Sequence, residues 1–191
     1  MKKKTFVLLL ALVLIAGAAV GGTLAWLTDT TEAVQNTFTT SDIDITLVET
    51  TSEFKMVPGC TIEKDPKVTV IAGSEKCYLF VKIEKSSNFD SFMTYTVAAG
   101  WTQLTDASDN DVPGVYYRVV EASNADQEFA VLKDNQVTVK DTVTKADMEA
   151  LKAADATLPT LTFTAYASQY MKNNTESFTA AEAWKNVNPT T

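Results

Sequence analysis

The stretch "PKVTVIAGSEKCYLFVKIEK", residues 66 to 85, decides the fold class. Val68 and Val70 alternate with polar neighbours, and Gly73-Ser74 breaks the run. Tyr78 and Phe80 then fall on one face, with Leu79, Val81 and Ile83 on the other. A period of two belongs to a strand, so the simplest reading is two strands joined by a tight turn.

Working outward, "DIDITL" (residues 42–47) places Ile43, Ile45 and Leu47 on alternate positions against Asp42, Asp44 and Thr46, the pattern of a half-buried strand. Downstream, "FMTYTVAAGW", "GVYYRVV", "FAVLKDNQVTV" and "TLTFTAYASQYM" are rich in Val, Tyr, Phe and Thr and are separated by Asp, Asn, Gly or Pro clusters. At least seven short strands with turn signals between them predict an all-β domain, a sandwich or a barrel. "KDNQV", Lys133 to Val137, reads as a hairpin turn.

One or two short helices interrupt the strands. Thr144 stands three residues before Asp147 in "TKADMEALKAAD", and Thr179 three before Glu182 in "TAAEAWKNV", both at capping-box spacing. Ala183, Trp184 and Val187 would form one apolar stripe on the second helix, suited to plugging an end or covering a sheet edge.

The N-terminus has a different character. Lys2, Lys3 and Lys4 precede an apolar run from Phe6 to Val20, and Gly21, Gly22, Thr23 and Ala25 supply small residues after it. This is the layout of a secretory signal peptide, with cleavage expected between Ala25 and Trp26. The run is short of the roughly 20 residues a spanning helix needs, so the membrane is expected to be met only through the uncleaved leader. Losing three lysines makes the formal net charge of −8 three units more negative. So acidic a surface repels nucleic acid and anionic lipid and favours cations or a basic partner.

The chain contains no histidine, which excludes Ser-His-Asp and Cys-His catalysis and HExxH zinc sites. Cys60 and Cys77 form a possible disulfide in an exported chain, or remain two free buried thiols. Two thiolates without histidine make an incomplete zinc site. Asp106, Asp109 and Asp111, with Asn110, are weak calcium candidates, because the loop lacks the spacing and terminal bidentate Glu of a calcium-binding helical loop. Tyr95, Trp101, Tyr116, Tyr117 and Trp184 read first as core and second as a sugar-binding face. Asn173-Asn174-Thr175 meets the glycosylation pattern. No cofactor is implied.

Three quoted segments together carry a family likeness. "GGTLAWLTDT" (21–30), "NTFTTSDIDITL" (36–47) and "VPGCTIEKDPKVTV" (57–70) resemble the TasA/camelysin family of exported bacterial proteins, whose leaders are cut by a signal peptidase of the SipW type. Trp26, Leu27, Thr28 and Asp29, and then Asn36, Thr37 and Phe38, stand at the matching places, with Leu27 replacing the usual aromatic. The resemblance implies a jelly-roll-like β-sandwich, secretion to the cell surface or extracellular matrix, and a role in surface fibres or biofilm matrix. It also implies self-association, or association with a related fibre subunit, through a donated N-terminal strand. The donor candidates are Trp26, Leu27, Ala33, Val34 and Phe38.

The expected organisation is a leader (1–25), a donor segment (26–38) and a β-sandwich domain (39–191). The expected role is structural and non-enzymatic. The alternative is a monomeric secreted module that binds glycan or protein. A camelysin-like metallopeptidase is a third reading, against which stands the absence of any histidine ligand.

Overall fold

The computed structural model describes residues 42–50 and 54–188. The expected leader, the Ala25/Trp26 cleavage site and the donor candidates Trp26, Leu27, Ala33, Val34 and Phe38 lie outside the described residues.

Among the described residues ten strands and three short helices follow one another as β1 (Ile45–Val48), β2 (Thr61–Glu63), β3 (Lys67–Val70), β4 (Cys77–Lys85), α1 (Phe89–Phe92), β5 (Met93–Val97), β6 (Thr102–Thr105), β7 (Asp111–Val120), β8 (Gln127–Ala130), β9 (Leu132–Val139), α2 (Lys145–Ala150), β10 (Leu161–Gln169) and α3 (Ala180–Val187). All pairings between them are antiparallel. The sheets run β1-β3-β8, β2-β9-β5 and β10-β4-β7-β6. The first two are halves of one bent layer: Val131 N donates to Pro66 O at 3.0 Å and Lys64 N to Asn135 O at 2.7 Å, carrying the hydrogen bonding across the bend. The fold is therefore all-β and sandwich-like, as the alternation predicts.

β4 is the reason the layers hold. Cys77, Leu79, Val81 and Ile83 face the bent layer and pack with Val68, Val70, Val120 and Val131. Tyr78 and Phe80 face the other way, into a second cluster with Leu104, Val115, Ala183 and Trp184. Each such side chain, fully removed from water, stabilises the fold by roughly 1.5–3 kcal/mol. α3 supplies the outer cover. The Thr179 hydroxyl caps Glu182 N while the Glu182 carboxylate accepts from Thr179 N, the reciprocal box its sequence predicts. The Trp184 ring then stands 5.1 Å from Tyr166, edge to face, and 5.3 Å from Phe80. The helix thus covers a sheet face, not an edge.

Four expectations are corrected. Gly73 does turn the chain, at φ +87°, but β3 and β4 belong to different layers, so the turn is an arch between sheets and not a hairpin. "KDNQV" lies inside β9. Asp134 and Asn135 take the left-handed conformation its composition suggests, with φ 55° and 53°, yet the strand does not reverse. Instead the ladder to β5 passes from Tyr95↔Val137 to Val97↔Leu132, and the intervening β9 residues bulge. α1 is a third helix that the sequence did not announce. Finally, Cys60 and Cys77 are both free: Cys60 is exposed ahead of β2, and Cys77 is buried between the layers at the start of β4. Burial pushes the Cys77 thiol up to about 11.

The two ends of the sandwich differ. At the first, the chain enters β1, with Glu75 N donating to Asp42 O and Gly73 N to Ser123 O, beside Cys77↔Gln169. At the second lie the end of β4 and the start of β10 (Lys85↔Leu161), the start of β2, and α1.

Candidate functional site

Along one side of the sandwich two strands have an edge that no other described strand pairs with. Among the described residues β10 pairs only with β4, and β2 only with β9. Where β1 lies against β10 the side is closed, with the small residues Ala165 and Ala167 facing the same core as Ile45 and Leu47. Toward the second end the layers part and leave a groove.

Its wider compartment holds about 630 Å³. Phe89, Met93 and Val137 form a buried floor. Phe54, Met56 and Ile62 line one wall, and Leu158 to Thr162 the other, with Leu158 57% exposed at the mouth. A narrower compartment of about 270 Å³ continues along β10 between Leu47, Glu49, Pro66, Leu161, Thr162 and Phe163. Leu161 and Thr162 border both. Unpaired strand edges beside an apolar trough form a surface that an extended chain can complete with main-chain hydrogen bonds.

One charged pair sits at the junction. Lys64 is only 8% exposed, and its Nζ lies 2.5 Å from Glu49 Oε1. The Phe54 and Phe163 rings stand 4.9 and 5.5 Å from the same ammonium. Desolvating a lysine is costly, and the carboxylate and the two ring faces offset that cost. The neighbouring Asp65 ties the chain after β1 to the bend: it accepts from the Thr50 hydroxyl and, at 3.0 Å, from Thr50 N. These bonds, the hydroxyl first, hold the Asp65 carboxyl below its ordinary value.

The other sequence candidates do not join this site. Asp106 closes the β6–β7 turn by accepting from Ser108 N at 2.7 Å and Asn110 N at 3.0 Å, and these backbone donors, Asn110 first, lower its pKa. Its carboxylate is occupied by its own loop. Among the described residues no group of three or more Asp, Glu, Cys or His is placed to hold a metal ion, so Asp106, Asp109 and Asp111 are not brought together as ligands. The aromatics are mostly core: burial pushes Tyr95 up to about 12, and Trp184 is covered. Trp101 donates Nε1 to Ala130 O at 2.8 Å and flanks Arg118, the chain's only arginine. The Arg118 guanidinium stacks 3.9 Å from the Phe129 centroid, its Nε is buried without an acceptor, and burial lowers its pKa.

Neither the groove nor its charged pair is signalled by any local motif. Lys64 stands in "TIEKDP" like any solvated lysine, and its partner lies 15 residues earlier. Among the described residues no helix is long and apolar enough to cross a membrane. Compared with known proteins, the chain matches no family model, no curated protein and no solved structure.

Proposed function

We propose that this chain is a secreted structural protein, a subunit or accessory of surface or matrix fibres, and that it assembles by laying the N-terminal segment of one copy into the groove of the next. The carrying observation is the groove between the edges of β10 and β2, which no other described strand pairs with. The resemblance to TasA/camelysin proteins supports the same reading, as does the leader, whose removal by a SipW-type peptidase would free Trp26.

The placement of the two ends favours a head-to-tail contact. The chain enters β1 at the first end of the sandwich, while the wide compartment opens at the second. A donor emerging at one end and an acceptor at the other make a heterologous interface, which propagates instead of closing into a dimer. No catalytic group is needed for this role, which is assembly.

A second reading rests on the cavity itself. About 630 Å³ of space with both apolar and polar lining falls in the range that small ligands occupy, so a monomeric binding module would use the same groove. Electron microscopy and sedimentation of the chain beginning at Trp26 separate the two. Filaments that vanish on deletion of residues 26–38, with the deleted chain still folded by circular dichroism, are the expected result. Persistent monomers at every concentration, or filaments that survive the deletion, overturn strand donation.

A further inference from the structure

Lys64 and Glu49 divide the groove. Lys64 borders the wide compartment and Glu49 the narrow one, so the ion pair spans the floor between them. An ammonium carries three N–H donors, and among the described residues this one donates to Glu49 alone. A strand lying in the groove would meet apolar side chains among polar surface in each compartment, and between them an ammonium with N–H groups to spare.

In an extended strand, side chains on one face recur every second residue, roughly 6.6–6.8 Å apart. Residues 26 to 38 read "WLTDTTEAVQNTF", and one alternate-position triplet in them has apolar ends and an acceptor in the middle: Val34, Asn36 and Phe38. The opposite face offers Ala33, Gln35 and Thr37, with only one small apolar group.

Resting on the strand-donation reading, we infer that the buried Lys64–Glu49 pair is the specificity element of the groove. It fixes the register of the incoming strand by taking the Asn36 carboxamide oxygen onto Lys64, with Phe38 in the wide compartment and Val34 in the narrow one. The choice of ends follows from volume, since a phenyl ring fills the larger space and an isopropyl group the smaller. Three residues, Thr39 to Ser41, then separate Phe38 in one copy's groove from Asp42 at the first end of its own sandwich. That is roughly 13 Å of extended chain from Phe38 to Asp42, so successive copies stack end against end with little slack.

The test is a swap of polarity across the contact, made in the chain beginning at Trp26 and read as the critical concentration for filament growth. Asn36→Leu takes the strand's acceptor away from Lys64, which keeps Glu49 alone, and is expected to raise that concentration about tenfold or more. Asn36→Asp, which keeps an acceptor, is expected to stay within about threefold of the parent. Replacing the pair by apolar groups, Lys64→Met with Glu49→Leu, is expected to invert the preference, so that the Asn36→Leu donor polymerises better than the unaltered one. Circular dichroism of the double variant checks its fold, and Asn36→Leu tests the register independently because it leaves the sandwich untouched.

If the parent forms filaments and all donors grow equally on both grooves, strand donation stands and this register is wrong. If the parent forms no filaments, both fall together.

Discussion

Gly114, in the middle of β7, takes φ +70°, and a Cβ built there collides with the Ile83 carbonyl oxygen of the neighbouring strand. Gly73, at φ +87°, has nothing within 4 Å of the same position. The two glycines therefore separate conformational strain from steric exclusion. Gly73→Ala is expected to cost about 1–2 kcal/mol, the penalty of a left-handed residue alone. Gly114→Ala adds the displacement of a central strand and is expected to cost about 4 kcal/mol or more, or to prevent folding. Urea unfolding of both variants measures the difference. A second residue couples the fold to pH. The Glu182 carboxyl is pushed down to about 2, first by the Lys172 ammonium at 2.6 Å and then by the N–H and hydroxyl of Thr179. A folded value below the unfolded one means that this contribution is complete above about pH 4.5 and is lost as the pH falls toward 2. Urea midpoints between pH 2 and 6 should fall for the parent and fall less steeply for Glu182→Gln. A parallel decline in both would show that other carboxylates set the acid limit.

At the scale of elements, what was legible was local. A capping box needs a threonine and an acid three residues apart, so both Thr144/Asp147 and Thr179/Glu182 could be read directly and both are formed. The apolar stripe of α3 was legible for the same reason, and its weight can be measured. Trp184→Ala uncovers Phe80 and Tyr166 and is expected to cost about 3–5 kcal/mol in unfolding experiments, whereas Thr179→Ala, which removes only a cap, is expected to cost about 1 kcal/mol. Equal losses would mean that the helix is held by its termini and not by its packing. The misread elements were those whose local chemistry was right but whose outcome depends on distant chain. Asp134 and Asn135 do adopt turn conformations, but pairing with β2 on one side and β5 on the other keeps β9 one continuous strand that bulges at them. Gly73 does bend the chain, but β3 finds its partners in β1 and β8, and β4 finds its own in β10 and β7. Turn residues specify that the backbone can bend, and only tertiary pairing decides between a hairpin, an arch and a bulge.

At the scale of the molecule, the groove was illegible because no part of the sequence contains it. Its walls come from residues 54–64, 89–93, Val137 and 158–163, which meet only when both layers are in place. The N-terminal donor candidates come from the resemblance alone and lie outside the described residues, whereas the groove had to be found in three dimensions. The β10 wall of the groove has one more property. β10 is the last strand, and its partner β4 was laid down far earlier in the chain. A ribosome delivers a polypeptide N-terminus first, so every other strand is available before residues 161 to 169 emerge. Until then β4 lacks one neighbour and the trough beside it has no second bank. The second bank of the groove is thus the last part of the sandwich to be made. The groove is therefore completed last, and nothing can lodge between its two banks until residues 161 to 169 are in place.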